Sequence, residues 1–81
     1  MKLFEALNHV GQMARDGNQG TFTLVVIGDN KEKKTFVMDT KNLTIATDNN
    51  KYDWEAGQDL ARALVKGCEV IELAWKGTDR V

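Results

Sequence analysis

A few side chains in this chain are of types that could do chemistry, and their spacing gives none of them a partner. His9 is the only histidine. A general base needs a nucleophile or a labile proton within reach, and no serine, cysteine or second histidine stands at a spacing that supplies one. A surface histidine is the simpler reading. Cys68 is the only cysteine and directly follows Gly67, at the C-terminal end of a predicted helix. That end repels a thiolate, whereas a reactive cysteine wants a helix N-terminus or a nearby cation. Cys68 is expected to fill space. Asp48-Asn49-Asn50, with Asp53 shortly after, is rich in oxygen. It lacks the glycine and the distal glutamate of a calcium loop, so turn formation explains it better. No catalytic residue, metal ligand or cofactor site is assigned.

Lysines are the remaining candidates. Lys31, Lys33, Lys34 and Lys41 lie on one predicted hairpin and its next turn, and such a group could follow phosphates. Asp29, Glu32 and Asp39 dilute the charge, and no aromatic residues alternate with it to stack on bases. The α-β-β-β-α order resembles the double-stranded RNA-binding fold in element order alone, and the residues do not follow that family, so the chain is not assigned to it. That family carries lysines at the start of its last helix, where this chain has Asp53-Trp54-Glu55. Nucleic-acid association through the lysines is therefore the second functional expectation, not the first.

The chain has 81 residues with Lys+Arg 11 against Asp+Glu 12. The length fits one domain, residues 1–81, with one modest core and no room for a deep substrate cavity. Near-neutral charge points to neither a strongly basic nucleic-acid binder nor an acidic mimic. One cysteine excludes an intramolecular disulfide and fits a reducing compartment. Met1 to His9 has polar interruptions where a signal peptide needs a continuous apolar run, and no later stretch approaches a membrane span. A cytoplasmic protein without a membrane partner is expected.

Thr21 to Gly28 is β-prone and apolar on both alternating faces, which marks an interior strand. Around it the pattern predicts a helix over Leu3–Asp16, strands over Lys33–Asp39 and Leu43–Thr47, a second helix N-capped by Asp53 and stopped by Gly67, and a strand over Glu69–Trp75. Residues 76–81 read as a frayed tail. The predicted fold is an α+β two-layer sandwich, order α-β-β-β-α-β, with both helices on one face of a four-stranded, mainly antiparallel sheet. The last strand should pair beside the first and, following a helical crossover, run parallel to the first or third. Trp54, Gly57, Leu60, Ala61, Leu64 and Val65 form the apolar side of the second helix, opposite Glu55, Gln58, Asp59, Arg62 and Lys66. Gly11/Ala14 and Gly57/Ala61 read as a close helix crossing, and Trp54 as core.

If the helices cover Phe22/Leu24/Val26, Phe36/Met38, Leu43/Ile45 and Ile71/Leu73/Trp75, the other sheet face displays Thr23, Val25, Ile27, Thr35, Val37, Thr44, Ala46, Val70 and Glu72. An exposed sheet face is ordinarily studded with charge, and this one is mainly Thr, Val, Ile and Ala. Such a surface marks a partner site, although Thr and Val also favour strands whatever lies outside. The functional expectation is a non-enzymatic protein-interaction module, of accessory or inhibitor type, docking a protein partner or a second copy of itself. Compact, motif-free chains of this size are common among such proteins in bacteria and their phages.

Overall fold

The computed structural model describes residues 1–28 and 30–77. It contains α1 (Leu3–Arg15), β1 (Gly20–Ile27), β2 (Lys33–Asp39), β3 (Thr44–Thr47), α2 (Asp53–Lys66) and β4 (Glu69–Gly77), the expected order of an α+β sandwich. The sheet order is β3-β2-β1-β4, so β1 is interior, as its two apolar faces require. Leu3, Ala6 and Val10, spaced at helical intervals on α1, bury against Phe22, Leu24, Val26, Phe36 and Met38. Glu5 closes the N-terminus of α1 by accepting the Lys2 backbone N–H at 2.9 Å, while Gly67 ends α2 in the left-handed conformation.

β4 pairs with β1 but antiparallel to it, which corrects the parallel expectation. The reason is the path of α2. The chain leaves β3 at Thr47, opposite Phe36, and Tyr52 bridges back to Ala46 before α2 begins. The helix delivers the chain to Glu69, opposite Ile27 at that same end of the sheet. A crossover that starts and finishes at one end must return an antiparallel strand. Lys76 and Gly77 continue β4 opposite Thr21 and Gly20, two residues expected in the tail; the rest of that tail, residues 78–81, lies outside the described residues.

A β-bulge interrupts the β1–β4 register between Val25 and Val26. On the far side of it Val26 faces Val70, so Val70 is buried in the core, while Ile71 is 50% exposed. Strict alternation back from Trp75 puts Ile71 inside and Val70 outside. One extra residue reverses both. Gly20 is required where β1 and β4 begin to pair: a Cβ there would lie 2.3 Å from the Lys76 carbonyl oxygen. The same close approach seats Trp75 on Phe22, ring centroids 4.6 Å apart.

The second helix is turned about its axis relative to the expectation. Ala56 and Asp59 are its buried residues, with Leu60 and Ala63 partly buried beside the core. Trp54, expected in the core, is 76% exposed and Val65 is 87% exposed. The helices do not cross at their glycines. A methyl at Gly57 would meet nothing within 4 Å, and one at Gly11 would meet only the Arg15 side chain at 4.0 Å. Leu43 sits in the β2–β3 turn with φ +57°, exposed instead of inward. The α2 N-cap is Tyr52, one residue before the expected Asp53.

Candidate protein-docking face

Side chains directly opposite one another in an antiparallel ladder share a face, so the register assembles the helix-free surface row by row. One row runs Ala46, Val37, Thr23, Ala74; the next is Thr35, Val25, Glu72. Beyond these, Ile27 has Lys33 on β2 beside it, and Thr21 lies between Asp39 on β2 and Lys76 on β4. Thr44 follows Asp39 onto β3. The structure thus gathers Thr23, Val25, Ile27, Thr35, Val37, Thr44, Ala46 and Glu72 on one surface and removes Val70 from it. Val25, Ile27 and Val37 are half-buried by their strand neighbours, whereas Leu24 and Phe36, facing the helices, are fully buried.

The surface has an apolar middle and charged corners. Lys33 and Asp39 stand at the two ends of β2, with Glu72 and Lys76 along β4. Asp39 also organises the β2–β3 turn: its carboxylate accepts the backbone N–H groups of Lys41 at 2.8 Å and Asn42 at 3.1 Å, and the Asn42 side-chain amide at 2.9 Å. The Asn42 backbone hydrogen bond, helped by the others, holds Asp39 below the usual carboxylate pKa. Glu69, at the margin beside Ile27, is occupied by Lys2 at 2.8 Å.

The four lysines of the nucleic-acid reading do not assemble. Lys33 lies on the helix-free face opposite Ile27, while Lys34, opposite Val26, lies on the helix side. Lys31 sits in the β1–β2 turn with φ +66°, and Lys41 belongs to the turn at the other end of β2. Seven strand residues separate the two turns, roughly 20 Å at the usual rise.

Lys34 is instead taken up by α2. Asp59, 7% exposed, receives Lys34 at 3.3 Å, Arg62 at 3.0 Å and Lys51 at 3.9 Å. Burial pushes its pKa up, but the hydrogen bond and charge of Lys34, with Lys51 and Arg62, outweigh burial and hold it below the ordinary value. Lys34, Asp59 and Arg62 line a groove of about 690 Å³ between α2 and the β1–β2 hairpin, together with Glu32, Lys66, Cys68 and the start of β2 at Lys33.

Compared with family models, with curated proteins and with solved structures, the chain matches none. Its function must therefore be read from its own surfaces.

His9 is exposed on α1 and meets the Phe22 ring edge-on at 5.9 Å. Cys68 is partly buried against the core. Asp48-Asn49-Asn50 form the loop of a small hairpin in which the Thr47 N–H donates to the Lys51 carbonyl at 2.9 Å. Among the described residues no group of three His, Cys, Asp or Glu is placed to hold a metal ion, and no helix is long and apolar enough to cross a membrane. Sequence reasoning missed the outward ridge of α2, which carries Trp54, Ala61, Leu64 and Val65. The signal that could have found it is the pair Ala56 and Ala63, seven residues apart, with Asp59 on the same helix flank. Small residues let a helix sit close to a sheet, and Asp59 has cations waiting there.

Proposed function

We propose that the chain is a small, non-catalytic interaction module that docks a protein surface with the helix-free face of its sheet. The observation that carries this reading is the position of Val25 and Ile27. They lie on the interior strand of the sheet, on the side opposite the helix-packed core, with Val37, Ala46 and Ala74 extending the same apolar ground. An apolar centre ringed by charge is the usual anatomy of a protein interface. The reading gives no reaction to His9 or Cys68, and assigns the protein to the cytoplasm on its lone cysteine.

Val25→Lys and Val37→Glu test it. Each puts a charge in the middle of the face without touching the helix-packed core, so the far-UV circular dichroism should stay unchanged. Protein retained by the immobilised chain, a further copy of itself included, should be lost in both variants. Retention undiminished by either substitution would overturn the reading.

A further inference from the structure

We propose that the occupant of this face is a second copy of the same chain, packed sheet to sheet about a two-fold axis along β1, with Lys33 of each copy against Glu72 of the other; this rests on the docking reading above and names its partner.

The charge pattern carries the inference. β1 has β2 on one flank and β4 on the other, with β3 beyond β2. On the β2 flank Lys33 stands beside Ile27 and Asp39 beside Thr21, cation at one end and anion at the other. On the β4 flank the order is opposite, Glu69 beside Ile27 and Glu72 beside Val25 at one end, Lys76 beside Thr21 at the other. Rotation about β1 exchanges the flanks without exchanging the ends. Lys33 then comes level with Glu69 of the other copy, which Lys2 and the N-terminus already hold, and one pleat from Glu72, while Asp39 meets Lys76. Lys33 and Glu72 lie one pleat apart, roughly 7 Å along the strand, a gap that two long side chains close. Among the described residues Lys33, Glu72 and Lys76 take part in no ion pair within the chain.

A two-fold across the strands would also join opposite signs, but it would set Lys33 on Asp39, whose oxygens already accept three hydrogen bonds in the turn. The axis along β1 gives Lys33 the carboxylate that is free. It also stacks Thr23, Val25 and Ile27 on themselves, closing the apolar middle from water. With the axis along β1 only β2, β1 and β4 of each copy overlap, β3 lying outside the contact. Three strands spaced ~4.8 Å and ~25 Å long present roughly 400 Å² per copy, about 800 Å² for the pair, the size of a weak, transient interface. A concentration-dependent dimer is therefore expected, not an obligate one.

Sedimentation equilibrium of the whole chain, its K33E and E72K variants, and their equimolar mixture tests the geometry. Each variant alone turns both Lys33–Glu72 contacts into like-charge pairs, so its dissociation constant should rise about tenfold or more. In the mixture the two reversed positions meet each other on one side of the axis, opposite in sign again, while the native Lys33–Glu72 pair forms on the other. Affinity there should return to within about twofold of the unmodified chain. A mixture no tighter than its parents overturns the proposed axis. A dimer indifferent to both charge reversals places the contact elsewhere, such as the free edge of β4, and overturns it too. An unmodified chain that stays monomeric but holds a different protein through Val25 overturns self-docking and leaves the docking reading standing. A dimer that survives Val25→Lys and Val37→Glu overturns self-docking, and removes the docking reading as well only if every other protein retained by the chain survives them too.

Discussion

The two helices lie on the same sheet and obey different rules. α1 buries its apolar stripe: Leu3, Ala6 and Val10 go into the core while Glu5, Asn8, Gln12 and Arg15 face solvent. α2 is equally amphipathic in sequence, yet it buries Asp59 beside Ala56 and leaves Trp54 and Val65 outside. The difference lies in what the sheet offers each helix. α1 shares one core cluster with Phe22, Leu24 and Val26, which have only apolar surface to give. α2 meets Lys34 and Lys51 as well, and a carboxylate with three cations around it recovers much of its desolvation cost. Where an ion cluster is available, helical periodicity alone does not choose the inward face.

Truncations in the two helices should break the comparison most visibly. Leu3 is fully buried at the centre of the core, so Leu3→Ala should cost about 2–5 kcal/mol by removing packed methyls and leaving a cavity. Val65→Ala removes exposed methyls and should change stability by less than about 0.5 kcal/mol. Urea titration of both variants measures the contrast. Equal losses would mean that the outer ridge of α2 is packed after all, and the asymmetry between the helices would vanish.

The next effect concerns Asp59. Asp59→Ala leaves Lys34, Lys51 and Arg62 converging on an empty place and should destabilise by about 1–2 kcal/mol, the partial exposure of the lysines keeping the loss moderate. Acid should act in the same direction. The folded-state pKa of Asp59 lies below its unfolded value of about 4, so the ionised group contributes stability above that pH and loses it as pH falls through the depressed folded value. Melting temperatures followed from about pH 6 to about pH 2 should drop in the native chain and drop less in Asp59→Asn. Asp39 and Glu69, whose pKa values are also lowered, keep the remaining slope. Parallel curves for the two proteins would show that Asp59 gains nothing from its cations.

How far the fold could be read in advance follows from the same contrast. The element order, the interior position of β1 and the buried face of α1 were legible because each rests on local patterning: alternation in 21–27, a helical stripe in 3–14. The helix-free face was legible for β1 and β2, since alternation there runs unbroken. It failed at Val70 because a bulge shifts register without any local mark in Glu69-Val70-Ile71-Glu72. The face of α2 failed because the partners of Asp59 come from two other parts of the chain, Lys34 and Lys51. The grouping of lysines failed for the simplest reason: Lys33 and Lys34 are neighbours in sequence and point to opposite sides of a strand.

The smallest effect sharpens the comparison from the side of the backbone. Glycine within a helix reads as a mark of close packing, and on that reading any side chain at Gly57 should be costly. The structure places open space over Gly57, with no atom within 4 Å of an added methyl and no left-handed backbone to preserve. Gly57→Ala should then stabilise the domain by about 0.5–1 kcal/mol, because alanine loses less backbone freedom on entering a helix. Gly20 is the internal control. Its missing Cβ would overlap the Lys76 carbonyl oxygen, so Gly20→Ala must force β1 and β4 apart and lower the melting temperature. A loss of stability in Gly57→Ala would mean that something does press on this flank of α2, and a second copy docked on the helix side would then become the first suspect.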